Sequence, residues 1–160
     1  MNIRFAREDE LEQVNQLRRQ VNDVHVQGRP DIFKPGFPME LQNYLYEIYQ
    51  DPNKDILVAE REGKLLGFAC LQYVIRPENP FMKERRYLDV DEFCVSEGYQ
   101  RQGIGKQLMQ EIQALAREKG FSKIELNMWE FNQGALKFYE AIGFSTYRRY
   151  MEMPLDNENA

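Results

Sequence analysis

Histidine is almost missing from this chain, which holds one, His25, in 160 residues, and cysteine is scarce, with only Cys70 and Cys94. No Cys/His cluster exists from which a zinc site could be assembled, so no metal is expected. Both cysteines fall in apolar, strand-like runs. They read as small buried hydrophobes of a reducing compartment, which points to the cytoplasm, rather than as a disulfide. No apolar run approaches the roughly 18 residues that a membrane-crossing helix needs. The first residues, Met1-Asn2-Ile3-Arg4, carry charge too early for a secretory signal. Basic runs are short, the longest being Lys83-Glu84-Arg85-Arg86, and the formal charge is −5. That balance argues against nucleic acid as a partner.

The composition that remains, 42% hydrophobic and 29% charged, is that of a globular protein able to bury a core. Apolar residues recur at helical spacing in Leu11, Val14, Leu17, Val21 and Val24, predicting a helix over 8–26. Gly28-Arg29-Pro30-Asp31 ends it, and Leu41, Leu45 and Ile48 predict a second helix over 39–49. Strands are expected over 2–6, 56–60, 65–75 and 86–95, the middle two forming a hairpin at Glu62-Gly63-Lys64. A helix over 104–119 carries Ile104, Leu108, Ile112 and Leu115 on one face, with Gly120 as its stop. A strand over 123–128, a helix over 133–142 and a last strand over 144–153 complete the order. This is an α/β chain of α+β character, a mixed sheet with helices on its faces. Residues 1–155 are expected to form one domain and 156–160 a polar tail.

Between the strand ending at Val95 and the helix opening at Ile104 lies Gln100-Arg101-Gln102-Gly103-Ile104-Gly105-Lys106. A helix N-terminus has backbone N–H groups without partners and a partial positive charge, so it suits an anion. Gly103 and Gly105 allow close approach to the backbone, and Arg101 and Lys106 add charge. A Walker A loop is excluded because Gln107 follows Lys106, and no Gly stands five residues before Gly105. A dinucleotide fingerprint is excluded because Leu108 occupies the place of its third glycine.

Gln100, Gly103 and Gly105 match the Gln/Arg-x-x-Gly-x-Gly/Ala signature of the GNAT superfamily of acetyl-CoA-dependent N-acetyltransferases, which this chain resembles over nearly its whole length. A second family pattern follows about thirty residues on, in Asn132, Ala135, Phe138-Tyr139 and Gly143-Phe144. The resemblance implies a mostly antiparallel sheet of about six to seven strands, splayed between strands 4 and 5, with about four helices. It implies acetyl-CoA in the splay. The amides of Gln102 to Lys106 would hold its pyrophosphate, helped by Gln100 and Arg101. Main-chain bonds from Phe93, Cys94 and Val95 would run to the pantetheine arm, the Cys94 N–H serving also as an oxyanion donor. Asn132 would bond the same arm or cap its helix, and Lys137 would reach the ribose phosphate or stay in solvent. The implied acceptor is a small-molecule or peptide amine. A homodimer pairing through the last strand is compatible with this, as is a non-catalytic acyl-CoA sensor on the same fold.

Acetyl transfer from a thioester needs a neutral amine, donors for the oxyanion and a proton for the leaving thiolate. The resemblance gives the last role to Tyr139. For the base, Asp89, Asp91 and Glu92 lie in the signature strand, where acids are depleted. Strict alternation puts Leu88, Val90, Glu92 and Cys94 on one face and Asp89, Asp91, Phe93 and Val95 on the other. Glu92, with apolar neighbours, is preferred to Asp91. His25 and the loop after it would border the acceptor pocket. Tyr44, Tyr73 and Trp129 would line it or belong to the core.

Overall fold

The computed structural model describes residues 1–156. Strand β1 (Asn2–Phe5) leads through a short 3-10 turn (Glu8–Glu10) to helices α1 (Leu11–Gly28) and α2 (Met39–Gln50). Strands β2 (Lys54–Arg61), β3 (Lys64–Arg76) and β4 (Arg85–Val95) follow, then α3 (Ile104–Glu118), β5 (Ile124–Leu126) and α4 (Gln133–Ala141). The sheet runs β1-β2-β3-β4-β5. Its first four strands are antiparallel neighbours, and β5 lies parallel to β4. Hairpins join β2 to β3 and β3 to β4, the α1–α2 pair returns the chain antiparallel from β1 to β2, and the α3 crossover makes β5 parallel to β4.

Alternation along the strands splits the apolar residues between two layers. Leu57, Leu66, Leu71, Leu88 and Val90 pack under α3 against Ile104, Leu108, Met109 and Ile112. Ile56, Val58, Phe68, Cys70 and Cys94 pack on the other face against Leu11, Val14, Leu17, Leu45 and Ile48 of α1 and α2. The entry to α1 is pinned by Glu10, whose carboxylate accepts from Arg4 Nη1 and from the Arg7 amide, each at 2.9 Å. The Arg4 guanidinium beside it holds that carboxyl down at about 2.

Two expectations about the sheet are corrected. Among the described residues it has five strands rather than six to seven, because residues 144–153 form no ladder. Strand β5 is three residues long, since β4 pairs with it only at Leu88, Asp89 and Val90. The four helices lie where they are expected. Of the expected tail, Asp156 is exposed and residues 157–160 lie outside the described residues.

The third correction concerns faces. Cys70 stands opposite Glu92 and Leu71 opposite Val90, so Asp91 has no partner in β3. This is a β-bulge, and one extra residue shifts everything after it to the other face. Phe93 and Val95 therefore join Leu88 and Val90 under α3. Glu92 and Cys94 turn toward α1, on the side that Asp89 also faces.

Candidate active site

The bulge sets what β4 offers along its free edge. The Ser96 amide donates to the Leu66 carbonyl at 2.7 Å. Counting back in an antiparallel ladder, Cys94 exchanges its main-chain bonds with Phe68, its register partner. Phe93 and Val95 then point their N–H and C=O groups away from β3. The Val95 carbonyl confirms the direction, since it accepts from Gln20 Nε2 at 3.0 Å and Gln100 Nε2 at 3.4 Å. Past Val90 and Leu126, β5 makes no ladder with β4, so this edge is open. The Cys94 N–H is thus spent inside the sheet, which removes it as the oxyanion donor; Phe93 and Val95 carry the free donors. The Cys94 thiol is core, pushed up to about 12 by burial and then by the nearby Glu92 charge.

At the end of this edge the chain turns into α3. Gly103 sits at φ +83°, in the left-handed region, with open space where a Cβ would stand. Arg101, at φ +63°, holds a positive angle without being glycine. No side chain caps α3, and its first turn carries no acid. The amides of Ile104, Gly105 and Lys106 therefore face outward without intrahelical partners. Gly105 has a different reason from the one its motif suggests. A Cβ there would lie 3.0 and 3.3 Å from the Phe138 ring and 3.5 Å from Val95 Cγ2. Its lack of a side chain seats α4 on α3.

Helix α4 brings Tyr139 to the open edge. Its ring meets Phe93 at 6.1 Å, Phe144 at 5.6 Å and Phe138 at 5.4 Å between centroids. Burial pushes the phenol up to about 12, so it keeps its proton at neutral pH. Asn132 caps α4, its Oδ1 accepting from the Ala135 amide at 3.2 Å. Of its two expected roles, the cap is the one seen. Lys137 is exposed on the outer face of α4.

The carboxylates lie on the α1 side. Glu92 is not surrounded by apolar residues as strict alternation predicts. Arg18 Nε donates to both its oxygens, at 2.9 and 3.1 Å, while Arg18 Nη1 donates to Asn15 Oδ1 at 2.9 Å and to the Leu41 carbonyl. The Phe37 and Tyr44 rings lie 5.6 and 5.8 Å from that guanidinium. Asp89 and Asp91 have no cation within ion-pair distance among the described residues. Burial, then the Asp91 charge, raises Asp89 to about 6. Asp91 is raised too, by desolvation first and Glu92 second. Its side chain still reaches solvent.

His25 stacks on Phe33 at 4.9 Å and meets Phe131 edge-on at 6.1 Å, while Trp129 packs on both phenylalanines. Burial lowers the His25 pKa. Together these rings tie the end of α1 and its loop to the connection between β5 and α4. Tyr73 is away from this edge, donating to Asp55 Oδ2 at 2.5 Å and stacking on Phe121. Sequence reasoning missed Asn15, Arg18 and Gln20. The available signal was three polar residues interleaved with the apolar stripe of α1, two of them at a spacing of three.

Among the described residues no three His, Cys, Asp or Glu side chains gather into a metal cage, and no helix is long and apolar enough to cross a membrane. Comparison with known proteins agrees with the architecture. A mutant of the BH1408 protein from Bacillus halodurans superposes with a TM-score of 0.93 at 29% identity, over 97% of this chain and 99% of that one. An aminoglycoside N-acetyltransferase, AAC(6')-Iy, in complex with CoA, shares the fold with a TM-score of 0.74 at 22% identity, covering 96% and 93% of the two chains. Human N-acetyltransferase 8 is 31% identical over 87 residues, 54% of this chain and 37% of that protein. The spermine/spermidine N(1)-acetyltransferase of Bacillus subtilis is 34% identical over 84 residues, 52% of this chain and 54% of that one. This chain thus spans about half, or less, of the length of these curated relatives. The profile of the acetyltransferase (GNAT) family matches residues 22–144. The chain belongs to that family.

Proposed function

We propose that this protein is an acetyl-CoA-dependent N-acetyltransferase that acetylates a small, cationic primary amine in the cytoplasm. The observation that carries the reading is the meeting of three features at one edge. These are the N–H groups of Phe93 and Val95 turned away from β3, the uncapped α3 N-terminus and the Tyr139 ring on Phe93. A CoA molecule needs all three: amides for a pyrophosphate, a strand edge for the pantetheine arm and a proton donor near the sulfur. The fit is good on its own terms, because the first turn of α3 carries no acid to repel phosphate.

Acetyl-CoA supplies an activated acyl group at the open edge. The amides of Ile104, Gly105 and Lys106, with Gln102 and Gly103 before them, bind the pyrophosphate, and Arg101 and Lys106 supply charge. Phe93 and Val95 align the arm and offer N–H groups toward the thioester oxygen. Tyr139 holds its proton for the leaving sulfur. Asp89 and Asp91 attract the acceptor ammonium and take its proton. Glu92, held by Arg18, fixes the bulge that presents them. The two unpaired carboxylates favour a cationic acceptor over a neutral peptide amine, which is the second class the fold accommodates. The Bacillus subtilis relative, named for spermine and spermidine, supports that choice.

The test is free-thiol release from acetyl-CoA across a panel of amines, with Tyr139→Phe as the partner variant. The polyamine and aminoglycoside classes should release thiol. In the variant kcat should fall by roughly 10²-fold or more, while the rise in melting temperature given by CoA stays as it was. Full turnover in the variant sinks the role of Tyr139. Stabilisation by CoA with no release from any amine sinks the enzyme and leaves a sensor of the same fold.

A further inference from the structure

Helix α1 grips β4 at two places. Arg18 holds the Glu92 carboxylate. Gln20 reaches the end of the strand, where β4 parts from β3. The Ser96 amide makes the last main-chain bond between those two strands among the described residues, to the Leu66 carbonyl at 2.7 Å. The Gln20 side-chain amide brackets that residue. Its Nε2 donates to the Val95 carbonyl at 3.0 Å, and its Oε1 accepts from the Glu97 amide at 2.8 Å. The same Nε2 lies 3.4 Å from Cys94 Sγ. A carbonyl and an N–H two residues apart are what one residue of a parallel neighbour takes from a strand edge. Here a single side-chain amide takes both.

The contact falls where the chain has few other restraints. Past Glu97, which is exposed, the backbone runs through Gly98 at φ +87°, Arg101 at +63° and Gly103 at +83° before α3 begins. That turn is held by the Tyr99 amide on the Ser96 carbonyl and by Lys64 Nζ on the Tyr99 hydroxyl, each at 3.0 Å. Helix α3 is anchored separately, since Ile104 is buried and Gly105 lies against Phe138. Helix α1 is anchored too, because Leu17, one turn before Gln20, packs in the same layer as Cys94. The peptide planes on either side of Ser96 are therefore set by Gln20 from a rigid helix. Gln100 Nε2 also reaches the Val95 carbonyl, at 3.4 Å. Both lone pairs of that oxygen are engaged, and Val95 meets a ligand as a donor.

We infer, resting on the acetyl-CoA reading above, that Gln20 is a positioning residue for the cofactor. By holding Val95 and Glu97 it fixes the end of β4 in the orientation that presents the Val95 N–H to the pantetheine arm. It acts through that main chain rather than on the reacting atoms. A strand end without a neighbour samples many backbone orientations, and ordering it on binding subtracts from affinity. Gln20 orders it before the cofactor arrives. The pyrophosphate half of the site needs no such help, because the α3 amides are fixed by the packing of Ile104 and Gly105. The effect of Gln20 therefore falls on one half of the ligand.

Gln20→Met keeps the length of the side chain and removes both bonds. Titration calorimetry of wild type and variant, with CoA and with its phosphorylated ADP moiety alone, separates the two halves of the site. In the variant the CoA dissociation constant should rise by roughly fivefold to tenfold, the worth of about one hydrogen bond. Binding of the ADP moiety should stay as it was. KM for acetyl-CoA should rise by the same factor while kcat at saturation holds, the pattern of lost uniform binding. Amide hydrogen exchange on the wild type needs no variant. The Glu97 amide, exposed and outside every ladder, should be protected by Gln20. Equal weakening of CoA and the ADP moiety overturns the inference, because the whole turn would then have moved. Unchanged CoA binding overturns it, as does an unprotected Glu97 amide. A wild type that binds neither ligand overturns the acetyl-CoA reading, and the role of Gln20 falls with it.

Discussion

Replacing Glu92 by glutamine separates two roles for the acid in the signature strand. The Arg18 side chain is 4% exposed and that of Glu92 21%. The guanidinium spends its Nε on the carboxylate and its Nη1 on Asn15 and the Leu41 carbonyl. Breaking a buried pair by removing one charge costs about 3–5 kcal/mol. The substituted amide would still offer an oxygen and the site is partly wet, so about 2–3 kcal/mol is expected here. For a domain of this size that is a fall of roughly 5–10 °C in melting temperature. If Glu92 only fixes the bulge, thiol release should fall by less than about tenfold, whereas loss of a general base costs about 10²–10⁴-fold. Calorimetry and acetyl-CoA turnover on one preparation decide the matter. Glu92→Gln with wild-type melting and a hundredfold loss of kcat would refute the positioning role and restore Glu92 as the base.

Gly105→Ala should destabilise by about 1–3 kcal/mol, the range for overpacking, because its Cβ would press on Phe138 and Val95; a thermal melt checks it, and an unchanged melt contradicts the packing role. Glu10 is held at about 2 against an ordinary 4.5. Its folded pKa is depressed, so its contribution is complete above pH 4.5 and is lost as pH falls toward 2. That loss is roughly 3 kcal/mol at most and about 1–2 after solvent screening at the exposed Arg7. An acid titration of Glu10→Gln should accordingly lack this part of the acid limb. Asp89 has the opposite sign, raised from 3.8 to about 6. Its protonated form suits the fold, so its contribution is complete below pH 3.8 and gone once pH exceeds 6. Asp89→Asn should therefore be more stable than wild type by about 1 kcal/mol at pH 7.5, with no such gain at pH 3.5, and should bind a cationic acceptor more weakly. Urea melts at the two pH values test the first statement and KM the second.

The first three helices were legible because each buries one stripe. Leu108 and Ile112 of α3 and Val14 and Leu17 of α1 fall where a 3.6-residue period puts them, and all four are buried. The glycine turn that opens α3 was legible as a motif, although the reason for Gly105 was not, since Phe138 arrives from thirty-three residues away. The pairing of Arg18 with Glu92 joins residues seventy-four apart in sequence, beyond any local period. The last strand failed for a related reason. Residues 144–153 have the composition of a strand, but among the described residues they make no ladder with any strand of the sheet.

The bulge at Asp91 decides most of the rest. Without it, Glu92 would turn under α3 into the layer built by Leu108 and Ile112, where no cation waits. Phe93 and Val95 would spend their main-chain groups on β3, and Cys94 would take their place at the open edge. With it, Glu92 turns to the α1 side, where Arg18 pairs with it, while Asp89 and Asp91 have no ion-pair partner among the described residues. The same shift frees the Phe93 and Val95 main chain toward the gap beside Tyr139. One unpaired residue therefore sets the acidic side and the open side of the strand together. A sequence cannot announce it, because a bulge is a property of the register between two strands, and Asp91 looks like any other residue until β3 is laid beside it.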